Sequence, residues 1–315
     1  MAGDVSRYSL GRILGRGGNA TVYEALDRKT RRRVALKVLP ETHLDSITKA
    51  RFSREARTAA SIRHPNVCEV YESGFFDDGR PYVAMELLEG ESLREVLIRE
   101  GRLEEEEALE IGVQILAGLQ AAHEAGVIHR DVKPENVFVT RARGRVTVKV
   151  LDFGTCRRID HSLDSQTLTL TGFVVGTPGY LSPEQAYGER DLDARADLFS
   201  VGLILFEALT GRPGFLGRTC AELMDGVSIR VPRVTRYRSI NWMFDAIVSK
   251  ATEPNLRERY ASAAEMQHDL LEARTVMRRE GSHARKAAQA AATRPAPVVV
   301  SGSDCWDVPT QRYVA

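Results

Sequence analysis

The sequence has few cysteines and no long apolar run. Four cysteines are scattered through its 315 residues, and no two of them have the spacing of a metal site or of a disulfide framework. The longest apolar stretch, Leu198–Leu209, is too short to cross a bilayer and contains Glu207, so it predicts a buried helix. No charged start followed by an apolar run marks a secretory signal. We therefore expect a cytoplasmic protein without a membrane span.

The sequence also lacks an excess of charge of one sign. Its 44 lysines and arginines face 43 acidic residues, and the net charge of +1 gives no global attraction for nucleic acid or for a membrane surface. With 43% apolar and 28% charged residues, the composition is that of an ordinary globular protein. No internal repeat is evident, which excludes a solenoid. The oligomeric state is left open.

Two short polar motifs carry the chemistry. The run His129–Asn136 reads HRDVKPEN, and Asp152–Gly154 reads DFG. A carboxylate such as Asp131 can orient or deprotonate a hydroxyl group. Asp152 and Asn136 offer the oxygen ligands that hard divalent cations prefer, with phosphate oxygens and water completing the shell. These residue types are the equipment for phosphoryl transfer.

The two motifs resemble those of the protein kinase family. Other kinase motifs precede them in the family's order. A Gly-rich run spans Leu14–Val22, Lys37 lies in the apolar strand Val34–Leu39, and Glu55 precedes the turn His64–Val67. The resemblance covers about Tyr8 to Arg279.

The Gly-rich run is expected to form a hairpin over a nucleotide's phosphates. Residues without bulky side chains let the backbone approach phosphates closely, although a lone run of this kind is more often an ordinary turn. The family has a third glycine where this chain has Ala20, the smallest departure. The residues that the resemblance assigns to phosphate binding are Gly15, Arg16, Gly17, Gly18, Asn19 and Ala20.

Lys37 interrupts an apolar strand, where an unpaired charge would be costly. Exposure on an edge strand is the plain alternative. The resemblance instead implies that Lys37 contacts the α- and β-phosphates of ATP. It also implies an ion pair between Lys37 and Glu55, which lies in a helix predicted over 47–62.

The order of elements predicts the fold class. Short strands and one helix alternate from Tyr8 to Leu87, and the remaining sequence is mostly helical. We expect an α+β protein with the bilobal protein kinase fold, in which a small antiparallel β-sheet lobe with one helix precedes a larger, mainly helical lobe. The predicted divisions are an N-terminal extension 1–7, a kinase domain 8–279 (small lobe 8–87, connector 88–91, large lobe 92–279) and a disordered tail 280–315.

The resemblance implies that ATP binds between the lobes. The residues expected around adenine are Leu14, Val22, Ala35, Met85, Glu86 and Leu88, of which Glu86 and Leu88 act through their backbones. Asn136 and Asp152 are expected to hold Mg²⁺, or Mn²⁺ in its place. Asp131 would orient the acceptor hydroxyl, and Lys133 would face the γ-phosphate.

The acceptor class also follows from the resemblance. Lys133, with Pro-Glu-Asn after it, is similar to the Ser/Thr-specific branch, so protein substrates with serine or threonine acceptors are implied. Thr177 would lie beside the catalytic Asp and Lys, Glu184 would pair with Arg259, and Asp197 would brace the catalytic-loop backbone. The run 181–186 resembles the bacterial, eukaryotic-like members.

Control by phosphorylation is expected in the segment between Asp152 and Glu184. Arg130, beside the catalytic Asp, would face that segment, and a phosphate there would supply its counter-charge and order the segment. Thr169 and Thr171 lie at the offsets where bacterial relatives carry autophosphorylation sites. A merely polar loop is the plain alternative.

Three functions remain open at this point. The first is an active Ser/Thr protein kinase. The second is a pseudokinase that serves as a scaffold or nucleotide sensor, which normally lacks at least one of five residues that are all present here: Lys37, Glu55, Asp131, Asn136 and Asp152. The third is a small-molecule phosphotransferase of related fold, which predicts a different run after the catalytic Asp.

Overall fold

The computed structural model describes residues 7–17, 20–40, 46–153, 178–189, 191–215 and 230–292. For some residues within helices, Glu55 among them, the description covers the backbone alone. The chain divides into two compact units, Met1–Arg274 and Thr275–Ala315. The described active-site residues all lie in the first unit.

The small lobe contains a five-stranded antiparallel sheet with strand order β1-β2-β3-β5-β4. Its strands are β1 (Tyr8–Gly17), β2 (Ala20–Asp27), β3 (Arg32–Val38), β4 (Val70–Phe75) and β5 (Pro81–Glu86). A single helix, α1 (Ser46–Ser61), lies between β3 and β4 in the sequence. The predicted small lobe is therefore confirmed, with strand ends that differ by a few residues.

Alternation along β3 separates the core of the lobe from its functional face. Side chains of a strand point alternately to opposite faces. Val34, Leu36 and Val38 are buried in one apolar cluster of the sheet. Ala35 belongs to a different cluster, and Lys37 shares its side of the strand. The lysine that interrupts this apolar strand thus lies on the face opposite the sheet's main core.

The large lobe is mainly helical, with a small antiparallel sheet of order β6-β7-β8. The helices are α2 (Leu93–Glu100), α3 (Glu105–Glu124), α4 (Pro183–Ala186), α5 (Arg195–Thr210), α6 (Trp242–Ala251) and α7 (Ala263–Ala292). The strands are β6 (Glu91–Ser92), β7 (Val137–Ala142) and β8 (Arg145–Val150). The Ser92 side chain accepts a hydrogen bond from the Glu95 N–H and Glu95 reaches back to Ser92, so a capping box begins α2.

Helix α5 is the centre of the large lobe. Every residue from Ala196 to Leu209 is buried, as expected for a helix that is apolar on all sides. The buried helix predicted over Leu198–Leu209 is confirmed. Two carboxylates, Asp197 and Glu207, are buried near the two ends of this helix. Buried charges require partners, and those partners connect α5 to the active site.

The last helix is longer than the sequence pattern indicated. The predicted large lobe ended at Arg279, whereas α7 continues to Ala292. The extension includes an alanine-rich stretch, and alanine has the highest intrinsic helix propensity. The predicted tail is thus helical up to Ala292, and residues 293–315 lie outside the described ranges. Within those ranges no helix has the length and apolar character that a membrane crossing requires.

Candidate active site

Lys37 and Asp152 join the two lobes by a direct ion pair. The Lys37 Nζ atom on β3 lies 2.8 Å from Asp152 Oδ2, which follows β8 in the large lobe. Their side chains are 12% and 32% exposed, so this pair between the lobes is open to solvent mainly on the Asp152 side. Burial acts to raise the pKa of Asp152, but the Lys37 charge and hydrogen bond outweigh it, and the pKa falls below its ordinary value. Asp152 is therefore an anion at neutral pH.

The catalytic-loop residues are held around Asp131. Lys133 Nζ lies 3.0 Å from Asp131 Oδ2. The Asn136 amide nitrogen donates to the Asp131 carbonyl oxygen at 2.8 Å and lies 3.3 Å from Asp131 Oδ2. Asn136 is buried at the end of a short 3-10 turn that begins with Pro134. Because its amide nitrogen is engaged, Asn136 presents its oxygen as the free end of the side chain.

Asn136 and Asp152 form a donor set that fits a hard divalent cation. The Leu151 N–H donates to the Asn136 carbonyl oxygen at 2.8 Å, which places the neighbouring Asp152 beside Asn136. An amide oxygen and an ionised carboxylate are the ligand types that Mg²⁺ accepts, together with phosphate and water. These residues could therefore hold the metal that the sequence implied.

His129 connects the catalytic loop to the Asp152 loop. It is fully buried, its Nδ1 accepts the Asp131 N–H at 3.2 Å, and its Nε2 lies 2.7 Å from the Leu151 carbonyl oxygen. A carbonyl can only accept, so the neutral tautomer protonated on Nε2 satisfies both contacts. The ring also packs edge-on against Phe153, with centroids 4.8 Å apart. No role for His129 was predicted from the sequence, because its burial becomes visible only in the folded structure.

Asp197 braces the strained part of the catalytic loop. Arg130 adopts a φ of 65°, a left-handed conformation that is unfavourable for a side chain of this size. The Asp197 carboxylate accepts the Arg130 N–H at 2.8 Å and the His129 N–H at 2.9 Å, and also contacts His123 Nε2 at 2.8 Å. The backbone contacts are those implied for Asp197. The contact with His123, at the end of α3, was not foreseen.

An apolar wall stands where adenine was expected. Ala35 and Met85 are register partners on β3 and β5, and they form one cluster with Cys68. Val22, Leu87, Leu88 and Leu151 pack against that cluster. Four residues of the expected adenine set are thus together, and Cys68, Leu87 and Leu151 are additions that the sequence reasoning missed.

The edge of this wall offers backbone groups at the connector. The Glu86 N–H already donates to the Glu69 carbonyl oxygen at 2.9 Å, so only its carbonyl oxygen is available to a ligand. That oxygen has a weak thiol contact with Cys68 Sγ at 3.9 Å, and burial raises the pKa of the Cys68 thiol to about 12. Among the described residues, the Leu88 N–H has no hydrogen-bond partner. One donor and one acceptor are therefore available along this edge of the wall.

Comparisons with known proteins agree with this geometry. A family model described as "Protein kinase domain" matches residues 8–271. This chain belongs to the protein kinase domain family. It is 43% identical over 276 residues to the probable serine/threonine-protein kinase SCO3848 of Streptomyces coelicolor, and 40% identical over 272 residues to the serine/threonine-protein kinase PknB of Mycobacterium leprae.

These relatives are longer proteins. The matches cover 84% of this chain but 39% of the Streptomyces relative and 42% of the Mycobacterium leprae relative. Among solved structures, the PknI kinase domain of Mycobacterium tuberculosis has a TM-score of 0.67 and 26% identity, covering 85% of this chain and 96% of that one. The bilobal kinase fold predicted from the sequence is therefore confirmed.

The Gly-rich hairpin of the kinase domain is described at both of its sides. β1 and β2 pair through Gly15 with Val22 and Gly17 with Ala20. No neighbouring atom lies within 4 Å of the position that a Gly15 Cβ would take, so there is open space at this point of the hairpin. Ala20, at the position of the missing glycine, packs its methyl group against the cluster that contains Phe52. Arg16 lies between Gly15 and Gly17, and Leu14 is 39% exposed.

A second ion pair, between Arg259 and Glu184, is buried within the large lobe. Arg259 Nη1 and Nη2 donate to Glu184 Oε1 and Oε2 at 2.8 and 3.2 Å, a bidentate contact buried on all sides. The structure thus brings together the pair that the sequence implied. Gln185, next to Glu184, donates from its Nε2 to the Arg130 carbonyl oxygen at 2.7 Å. This link between the Ser-Pro-Glu segment and the catalytic loop was not predicted.

Several predicted site residues lie outside the described ranges. These are Gly18, Asn19, Thr169, Thr171 and Thr177, together with the side chain of Glu55. The backbone of Glu55 lies in α1, as expected. The predicted contact between Glu55 and Lys37 stays a prediction, and Lys37 forms an ion pair with Asp152.

Proposed function

We propose that this chain acts as a serine/threonine protein kinase, transferring the γ-phosphate of ATP to serine and threonine hydroxyls of proteins. The observation that carries the proposal is the meeting of Lys37, Asp152 and the Asp131 loop at one cleft between the lobes. The chain spans about two fifths of the length of its curated relatives, and their names as serine/threonine kinases support the same acceptor class.

The residues of the cleft have different chemical groups, and each group has a separate role in the proposed transfer. Lys37 would bind phosphate oxygens, which replace Asp152 as its partner. Asp131 would accept a hydrogen bond from the substrate hydroxyl and orient it for attack, and Lys133, 3.0 Å away, would offset charge on the transferred group. Asn136 and Asp152 would hold Mg²⁺ or Mn²⁺, which supplies neutralisation of the phosphate charge when bound. Most of the rate gain then comes from alignment and electrostatics.

The decisive experiment compares wild type with Asp131→Asn. Each protein is incubated with γ-labelled ATP, Mg²⁺ and a basic test protein, and the phosphoamino acids are identified. We expect phosphoserine and phosphothreonine with wild type and a loss of about 10²-fold or more in the variant. The matched control is Asp77→Asn on the exposed β4–β5 turn, which should keep wild-type activity. ATP binding by wild type without any transfer would favour a pseudokinase scaffold instead.

We also propose that the segment between Asp152 and Glu184 is autophosphorylated at Thr169 and Thr171. The support is the position of these threonines in the sequence and the presence of Arg130 beside the catalytic Asp. Mass spectrometry after incubation with Mg-ATP is the test. Active protein that carries no phosphate on Thr169 or Thr171 would defeat this part of the proposal.

We propose a cytoplasmic setting with protein substrates and no nucleic-acid partner. The support is the scattered cysteines and the net charge of +1. Crosslinking in cells, followed by separate recovery of protein and nucleic-acid adducts, would test it.

A further inference from the structure

Arg94 lies at the junction of three separate parts of the large lobe. It is the second residue of α2, and its side chain is about three-quarters buried. Nη1 donates to Glu207 Oε1 of α5 at 2.7 Å, and Nε donates to Glu135 Oε1 of the catalytic loop at 2.9 Å. Nη2 contacts the Tyr180 hydroxyl at 2.5 Å. One planar cation therefore contacts three partners in fixed directions, which a guanidinium fork allows.

The charges of this cluster depend on Arg94. The Tyr180 hydroxyl donates to Glu207 Oε2, so the buried Glu207 carboxylate is held by Arg94 and Tyr180 together. Burial and the neighbouring Glu207 raise the pKa of Tyr180, which keeps the phenol neutral and able to donate. Among the described residues, Glu135 Oε2 is buried without a hydrogen-bond partner, so Arg94 is the cation that compensates Glu135. Without Arg94, two carboxylates would be left in the same region.

The three partners occupy positions that matter for catalysis. Glu135 lies between Lys133 and Asn136, inside the 3-10 turn that fixes the Asn136 amide. Tyr180 lies in the turn Pro178–Tyr180, just before the Ser-Pro-Glu segment, and its carbonyl oxygen accepts the Ser200 hydroxyl at 2.8 Å. Glu207 is part of the central helix α5 and cannot shift without it. Arg94 thus connects the catalytic loop and the end of the segment that precedes α4 to one rigid helix.

We propose that Arg94 is a positioning residue for phosphoryl transfer, which sets the Asn136 turn and the Tyr180 turn relative to each other through Glu135 and Glu207. This rests on the proposed function. Arg94 touches neither the reacting groups nor the expected adenine wall. Its loss should therefore affect turnover and leave nucleotide affinity nearly unchanged.

The test compares Arg94→Ala with Arg99→Ala. Arg99 lies on the same helix but is half exposed and pairs only with surface carboxylates, so its loss should have little effect. For Arg94→Ala we expect a 10- to 100-fold lower kcat, because small displacements of aligned groups cost roughly that much. The KM for ATP should stay within about twofold to threefold. Added guanidinium ion should restore part of kcat in Arg94→Ala and none in Arg99→Ala.

A second variant protects the test from misfolding. Arg94→Met combined with Glu207→Gln removes the buried cation together with the more buried of its two anions, and leaves only the part-exposed Glu135 without its cation. It should fold and still show the lower kcat. Turnover within twofold of wild type in either folded variant would overturn the proposal, as would a loss confined to the KM for ATP.

Hydrogen exchange separates this proposal from the proposed function. In Arg94→Ala, amides in residues 131–136 and 178–182 should exchange faster than in wild type, whereas those of β3 and β5 should not. If wild type transfers no phosphate but exchange in Arg94→Ala rises at these two turns, the proposed function fails, whereas the role of Arg94 in fixing the two turns relative to each other stands. Unchanged exchange at both turns would contradict the positioning role whatever the activity.

Discussion

Two ion pairs have the same nitrogen–oxygen distance but differ in burial and in their further hydrogen-bond partners. Lys37–Asp152 and Arg259–Glu184 both have their nitrogen and oxygen 2.8 Å apart. The Arg259 and Glu184 side chains are 0% and 5% exposed, and Arg259 also donates to the carbonyl oxygens of Glu253 and Arg195. Asp152 is 32% exposed at the cleft. Distance alone therefore does not tell a permanent pair from one that can exchange its partner.

The two environments give the two pairs different roles. A buried, bidentate pair with its remaining donors satisfied has no favourable alternative state, so it fixes the segment around α4 against the rest of the large lobe. A half-open pair between a lysine and a carboxylate can separate when phosphates and a metal take over its two charges. We read the first pair as structural and the second as functional.

The largest effect should come from breaking the buried pair. Arg259→Ala leaves the Glu184 carboxylate buried without its partner and should lower the free energy of unfolding by about 3–5 kcal/mol. Urea unfolding at neutral pH measures this loss. The control is Arg12→Ala, whose pair with Glu24 has a similar length of 2.9 Å but lies at the surface with Arg12 77% exposed. Its cost should stay within about 1 kcal/mol. Equal costs for the two variants would refute the contrast.

Breaking the half-open pair should affect function more than stability. Lys37→Met keeps the length of the side chain, and we expect a loss of at least about 10²-fold in phosphoryl transfer. The free energy of unfolding should change by no more than about 1–2 kcal/mol, because the pair is partly solvated. Lys29→Met on the exposed β2–β3 turn is the matched control and should leave both quantities unchanged. A destabilised but active Lys37→Met protein would reverse our assignment of the two pairs.

The smallest expected effect is a dependence of this stability difference on pH. The pKa of Asp152 is lowered in the folded protein, so its contribution is present above the ordinary value of 3.8 and is lost as the pH falls through the folded value. Without Lys37, burial raises the pKa of Asp152 against only weaker compensating charges, Lys133 among them, and most of that advantage is lost. The difference in unfolding free energy between wild type and Lys37→Met should therefore shrink between about pH 5 and pH 3. A difference that stays constant over this range would argue against the electrostatic origin of the pair.

Much of the fold and site could be predicted because kinase motifs are local in sequence. The Asp131 loop, the Asp152 motif and the capping box of α2 each depend on residues a few positions apart. The contacts of Asp197 with the His129 and Arg130 backbone span nearly 70 positions, and only the resemblance to a family made them predictable.

Other features could not be read from the sequence, and each has a physical reason. Lys37 and Asp152 are 115 positions apart, so their contact depends on how the lobes close. Arg94 lies inside the capping box at the start of a helix, where an arginine usually extends into solvent. Cys68 and Leu151 precede or follow strands and look like plain core. In each case the packing of distant elements decides the role.

The effect of Mg²⁺ on ATP binding by wild type and by Asp152→Asn tests most directly whether the Lys37–Asp152 pair exchanges its partners for phosphate and metal. Calorimetric titrations with and without Mg²⁺ measure it. In wild type, Mg²⁺ should tighten ATP binding, because Asp152 would hold the metal and Lys37 would be left to the phosphates. In Asp152→Asn, ATP should still bind through Lys37 and the apolar wall, but Mg²⁺ should no longer tighten it. The same tightening by Mg²⁺ in both proteins would contradict the role of Asp152 in holding the metal.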